Sequence, residues 1–232
     1  MNELAKPVLE GEGDSDYERY LRTDALLSLQ KGADEWVHRD ELLFQTVHQS
    51  SELWLKLCWN EVEEAARLVR AGDLAAANRL LRRASDCLKL VTDALDMLEH
   101  MSPWEYTEVR KALGHGSGFD SPGFREIRRV MKPLGEAFHA AREAAGLSLA
   151  DVYVQGREHE ELYTLAELLT ELDERVTVWR ARHFKVVQRT IGGDVIGTQG
   201  TPVEIMGRLM HHSYFPELWD VRNELTRMNL PE

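Results

Sequence analysis

His183 has the clearest claim to chemistry in this chain. Leu162, Leu165, Leu169, Leu172, Val176, Trp179, His183 and Val186 step by threes and fours, so they share one face of a helix. A histidine on such a face is desolvated, and its ring nitrogens need partners. Two readings follow. One is a core histidine satisfied by a neighbouring carbonyl or carboxylate. The other is a ligand to iron or zinc, for which neutral imidazole is the commonest protein donor. Arg180, Arg182, Lys185 and Arg189 crowd His183 in an otherwise acidic chain. They read either as a solvated basic face or as counter-charges to an anionic ligand across the helix, such as the propionates of a haem. Zinc is the weaker choice, because the sequence has no HExxH, no CxxC and no second histidine one turn from His183. His211 and His212 are adjacent and point to different faces. A single protein ligand in an apolar pocket is the haem pattern.

His48 follows Phe44 by four residues, so the two rings share a face, with Leu43, Val47, Leu53 and Trp54 around them. Alone, such a histidine is most often structural; beside a haem it suits the oxygen and substrate side. Tyr106 and Arg110 are also four apart. A phenol and a guanidinium fork side by side can grip a carboxylate, although an arginine stem packed on a tyrosine has the same spacing. The Gly-rich stretch 192–200, with the hydroxyl of Thr198, is suited to close over a ligand.

These residues need long helices to place them. The pattern predicts helices over 16–30, 40–70, 74–100 and 157–189, with no convincing strand. Ser102-Pro103-Trp104-Glu105 and Thr201-Pro202-Val203-Glu204 carry a capping residue, proline at the first helical position and glutamate three on. Ser121-Pro122 opens a further helix that Pro133 should kink or break. The expected fold is all-α, a bundle of long helices, with residues 1–15 as a flexible arm and 16–232 as a single domain. The net charge of −12 disfavours nucleic acid and anionic membranes as partners. The start lacks an apolar leader and no stretch is long enough to span a bilayer. Cys58 and Cys87 read as buried reduced thiols, so a cytoplasmic protein is expected.

Five segments in order, YERYLRTDALLSLQ (17–30), DELLFQTVHQSSELWLKL (40–57), SPWEYTEVRKALGHGSGF (102–119), WRARHFKVVQRTIG (179–192) and FPELWDVR (215–222), resemble the tryptophan 2,3-dioxygenase family. The resemblance implies haem b held by His183 as the axial ligand. His48 is implied as the distal histidine that meets the indole N–H, and Phe44 as the aromatic that packs on the indole. Tyr106 and Arg110 are implied to bind the substrate carboxylate, and Thr198 the amino-acid head group. Tyr17 and Tyr20 match tyrosines that complete a neighbouring subunit's pocket in a homotetramer, so a homo-oligomer, tetramer or dimer, is expected. The implied partners are O2 and an indole amino acid, and the implied product is N-formylkynurenine.

Three departures accompany the resemblance. GTQGTPV stands where the family reads GTGGSSG, SGFDS stands for SGFQS, and several dozen residues are missing before the axial-histidine helix. Relatives that monooxygenate tryptophan derivatives, for example to oxindoles, make a second enzymatic reading. A non-catalytic haem sensor or a structural bundle makes a third, which keeps His183 but gives His48, Tyr106 and Arg110 no joint task.

Overall fold

The computed structural model describes residues 6–196, 200 and 203–229, and none of its elements in that range is a strand. Ten α-helices are described: α1 (Asp16–Leu21), α2 (Thr23–Leu27), α3 (Glu41–Arg70), α4 (Leu74–Leu98), α5 (Pro103–Ala112), α6 (Pro122–Ala144), α7 (Leu149–Val154), α8 (Glu160–Ile191), α9 (Val203–Leu209) and α10 (Pro216–Asn229). A single 3-10 turn at Gly118–Asp120 precedes α6. The all-α expectation holds.

The four long helices pack in a ring in which α3 touches α4 and α6, and α8 touches α4 and α6. Their apolar faces, among them Leu55, Val62, Leu81, Leu88, Ile127, Leu134, Phe138, Leu165, Leu169 and Leu172, form one buried core. Ala65, Ala77 and Ala84 are fully buried along the α3–α4 hairpin, where small side chains let two helix backbones approach. Gly72 reverses the chain with φ of 83°, a conformation that costs glycine little. Asp73 then caps α4 by accepting from the N–H of Ala76.

The caps at Ser102 and Ser121 form as the sequence predicts. Ser102 and Glu105 make a reciprocal capping box, and Ser121 accepts from the N–H of Phe124. Thr201 and Pro202 lie outside the described residues. One expectation is corrected, and one of two alternatives is dropped. The 16–30 helix is split at Arg22, which takes a left-handed conformation (φ 53°) and sends its N–H back to the Glu18 carbonyl. Pro133 does not break α6, because Leu134, Ala137 and Phe138 beyond it are buried in the core and that packing outweighs one lost hydrogen bond.

Around the ring, α5 and α9 lean on α8, and α10 packs on α7 and α8. The anchor of α10 is Asp173, whose side chain is 0% exposed. Its carboxylate accepts the N–H of Tyr214 at 2.9 Å, that of Phe215 at 3.2 Å and the indole N–H of Trp219 at 3.0 Å. Residues 8–19 fold on themselves, with Asp16 accepting from the N–H of Val8 and Leu9 and Arg19 donating to the carbonyls of Leu9 and Gly13. Among the described residues no helix is long and apolar enough to cross a membrane.

Candidate functional site

One end of the bundle gathers the candidate residues: the first turns of α3, the last turns of α8, α5, and the start of α6. On α3, the rings of Phe44 and His48 sit 4.0 Å apart between centroids. His48 pairs its Nδ1 with the Phe44 carbonyl at 2.7 Å. A carbonyl can only accept, so the proton is assigned to Nδ1 and Nε2 is left as a bare acceptor. The protein atoms around His48 push its pKa below the ordinary 6.5, against the opposing pull of the Phe44 carbonyl and the Glu52 charge. The imidazole nevertheless keeps accessible surface, so it faces an opening while neutral.

From α5, Tyr106 brings its ring to 6.1 Å from that of Phe44. Burial raises the pKa of its phenol, and the charge of Arg110 works against the rise. Arg110 donates from Nη2 to the carbonyl of Ile196 at 3.0 Å, and its other donors carry no hydrogen bond among the described residues. The guanidinium therefore borders the Gly-rich stretch that contains Thr198, which itself lies outside the described residues.

His183 stacks face to face on Trp179, with centroids 4.8 Å apart and planes 10° apart. Trp179 rests in turn on Phe124 at 3.8 Å. Burial, and secondarily the nearby His48, push the pKa of His183 down to about 4, so the ring is neutral. It lies deep among protein atoms yet is only half-buried, so part of it remains open to a ligand. Neither ring nitrogen has a hydrogen-bond partner among the described residues, so none of those residues satisfies it as a core histidine. In front of the ring lies the 118–120 turn. A Cβ built on Gly118 would come 3.8 Å from Cε1 and 4.0 Å from Nε2 of His183. An uncommitted neutral imidazole with glycine before it fits a flat macrocycle bound through one ligand. A bare ion fits less well: no group of three or more His, Cys, Asp or Glu suited to a metal forms among the described residues.

The basic residues around His183 require a correction. Arg182 pairs with Asp96 at 2.6 Å and with Glu99 at 2.5 Å, and Arg189 pairs with Glu99 at 2.7 Å. Arg180 donates to the carbonyls of Leu209 and His212, and Lys185 to the side chain of Gln188. The three arginines tie α8 to α4 and to the α9–α10 connection and do not wait for an anion, while Lys185 stays within α8.

Phe44, His48, Tyr106, Arg110 and His183 are thus brought together. Tyr17 and Tyr20 are not, being 69% and 78% exposed on α1 without a ring contact to the cluster. Three residues around the site had no role assigned from the sequence: Glu52, Gly118 and Trp179, the last read there only as part of the apolar stripe. Glu52 and Trp179 stand one helical turn from His48 and His183, the spacing that could have marked them. In the SGFDS departure, Asp120 accepts the N–H of Ser117 at 3.1 Å, so the turn closes on the substituted residue itself. Two surface hollows of about 480 and 440 Å³ border Tyr163 at the opposite end of α8 and include none of these residues.

Residues 2–136 match the family model described as tryptophan 2,3-dioxygenase. The tryptophan 2,3-dioxygenase of a Bacillus cereus strain is 31% identical over 282 residues, covering 97% of this chain and 100% of its own. That of Caulobacter vibrioides is 33% identical over 263 residues, with 91% and 99% covered. The chain belongs to the tryptophan 2,3-dioxygenase family. Four of the five clustered residues fall within the family match, and the Bacillus relative extends the similarity over α8 and His183. Its alignment is longer than this chain, so that tryptophan 2,3-dioxygenase carries segments absent here. Shewanella woodyi contributes a third such enzyme, 31% identical and covering 91% of each chain.

Proposed function

We propose that this chain is a haem-dependent dioxygenase that adds both atoms of O2 across the C2–C3 bond of the indole of L-tryptophan, giving N-formylkynurenine. The observation that carries the reading is the pairing of two neutral imidazoles at one end of the bundle. The nitrogens of His183 are uncommitted, and His48 has its proton fixed on Nδ1. Haem b held by His183 supplies the O2-activating iron; the remaining work belongs to the protein.

His48 offers Nε2 to the indole N–H, and Phe44 offers its face to the ring. Arg110 and Tyr106 hold the carboxylate, which uses head-group binding to fix the ring in place. The neutrality of His48 matters, because an imidazolium would present a donor to a donor. His48→Ala is expected to lower kcat/KM for L-tryptophan about tenfold, the worth of one neutral hydrogen bond, with haem content unchanged in the absorption spectrum. Arg110→Ala is expected to raise KM by about 10–100-fold, as loss of a charge-assisted contact does, and to leave the Soret band in place.

The exposure of Tyr17 and Tyr20 supports a role toward a neighbouring copy in a homotetramer or dimer, with Thr198 completing the head-group site. Residues 1–15 then act as an arm on one oxygenase domain, 16–232. Two free buried cysteines and the acidic charge support a cytoplasmic setting. Turnover of L-tryptophan under labelled O2 tests the function. N-formylkynurenine with both oxygens labelled is expected; no Soret band after reconstitution, or a singly oxygenated product, overturns it.

A further inference from the structure

Glu52 has no part in the roles assigned so far, yet its carboxylate joins two elements of the site. It lies on α3, one turn beyond His48. One oxygen accepts the hydroxyl of Ser121 at 2.5 Å, and the other accepts the N–H of Gly123 at 2.9 Å. Both donors belong to the start of α6, immediately after the 118–120 turn that lies before His183. The approach is tight: a Cβ on Gly123 would stand 2.6 Å from Leu55 Cβ and 2.7 Å from Glu52 Oε2. Only glycine lets α6 come this close to α3. Ser121 also uses its oxygen to cap α6 through the N–H of Phe124 at 3.2 Å, and Phe124 carries Trp179, on which His183 stacks. Each link in this path is a hydrogen bond or a ring contact.

We propose that Glu52 is a positioning residue, whose carboxylate clamps the 117–124 segment to α3 and so sets the gap between Gly118 and the Nε2 edge of His183. The macrocycle and O2 would be taken up on this face of His183, where Gly118 stands at contact distance and must draw back, so the inference rests on the proposed function. The clamp also ties the helix of His48 to the support of His183, keeping the two imidazoles in register. A carboxylate suits the task because it accepts at both oxygens. An amide in its place can still accept the Gly123 N–H but no longer accepts the Ser121 hydroxyl, to which it can only donate, whereas alanine removes both bonds. Tyr106 and Arg110 sit on α5, outside the clamp, so the carboxylate grip on substrate is left alone.

The test uses reconstituted holoenzyme with Glu52→Gln, Glu52→Ala and Ser121→Ala. Glu52→Ala is expected to lower kcat by about 10–100-fold, the scale of a small misplacement at a reacting centre, and Glu52→Gln by less, with KM for L-tryptophan held and haem stoichiometry intact. The C–O stretch of the ferrous CO complex, which reads the space before the iron without turnover, is expected to shift. Ser121→Ala, which removes one of the two bonds, should shift both readouts less and in the same direction. Unchanged kcat and C–O stretch in Glu52→Ala overturn the proposal, as does a rise in KM at constant kcat. If the Glu52 variants fail to fold, Ser121→Ala decides by the same criteria. A wild-type protein that takes up no haem defeats the functional reading instead. Amide exchange in cofactor-free protein then reads the clamp: about tenfold faster exchange at Gly123 in Ser121→Ala, an opening shift of the size one hydrogen bond gives, supports it, and equal rates overturn it.

Discussion

His183→Ala is expected to abolish haem uptake, and turnover with it, while the cofactor-free protein keeps its helix content. The imidazole makes no hydrogen bond among the described residues, and its contacts include a stack on Trp179 and the edge of the 118–120 turn. Its removal therefore orphans no buried donor, and the bundle survives. The loss of affinity should exceed the about 10–100-fold that removal of a merely supporting residue costs at a metal site. Titration of the cofactor-free variant with haem, followed at the Soret band, checks this. Added imidazole should restore part of the band by filling the vacated space. A variant that binds haem as well as the wild type would remove His183 from the site.

Asp173→Ala is expected to be the most destabilising single change in the chain, at about 3–5 kcal/mol, the cost of truncating a buried carboxylate and stranding its partners. Three N–H groups, from Tyr214, Phe215 and Trp219, converge on that carboxylate, and that of the buried Phe215 cannot reach water without lifting α10 from α8. Asp173→Asn should fall between, because the amide keeps one accepting oxygen and turns an N–H₂ toward the other donors. Urea unfolding of the three proteins reads the order directly. Equal midpoints for wild type and Asp173→Ala would show that α10 is held by apolar packing alone, through Phe215 and Leu218.

The helices were legible because their signals are local. Periodicity located α3, α4 and α8 to within a few residues, and the cap at Ser102 fixed the start of α5, on which Tyr106 and Arg110 depend. The neighbourhood of His48 was readable at a spacing of four. What escaped was set by partners far along the chain. Arg182 meets Asp96 across 86 residues, so its charge was read as free when it was already neutralised. Glu52 meets Ser121 and Gly123 across 69 and 71 residues, and Asp173 meets the 214–219 turn across more than 40. In each case the side chain looks like any other exposed acid or base on a helix until the helices are packed. Arg22 escaped for another reason: a left-handed residue that is neither glycine nor asparagine leaves no mark in composition.

Gly123 and Gly118, five residues apart, are held by different constraints on sequence drift. At 123 the obstruction is the side chains of Leu55 and Glu52 on α3, at 2.6–2.8 Å, so any replacement is rejected by the fold, whatever the protein is used for. At 118 the nearest atoms stand at 3.8–4.0 Å, ordinary contact distances, and the folded chain alone has no objection to alanine. Whatever keeps residue 118 small must act through what occupies the hollow. A lineage that abandoned the chemistry while retaining the bundle would be free to change the first glycine and obliged to keep the second.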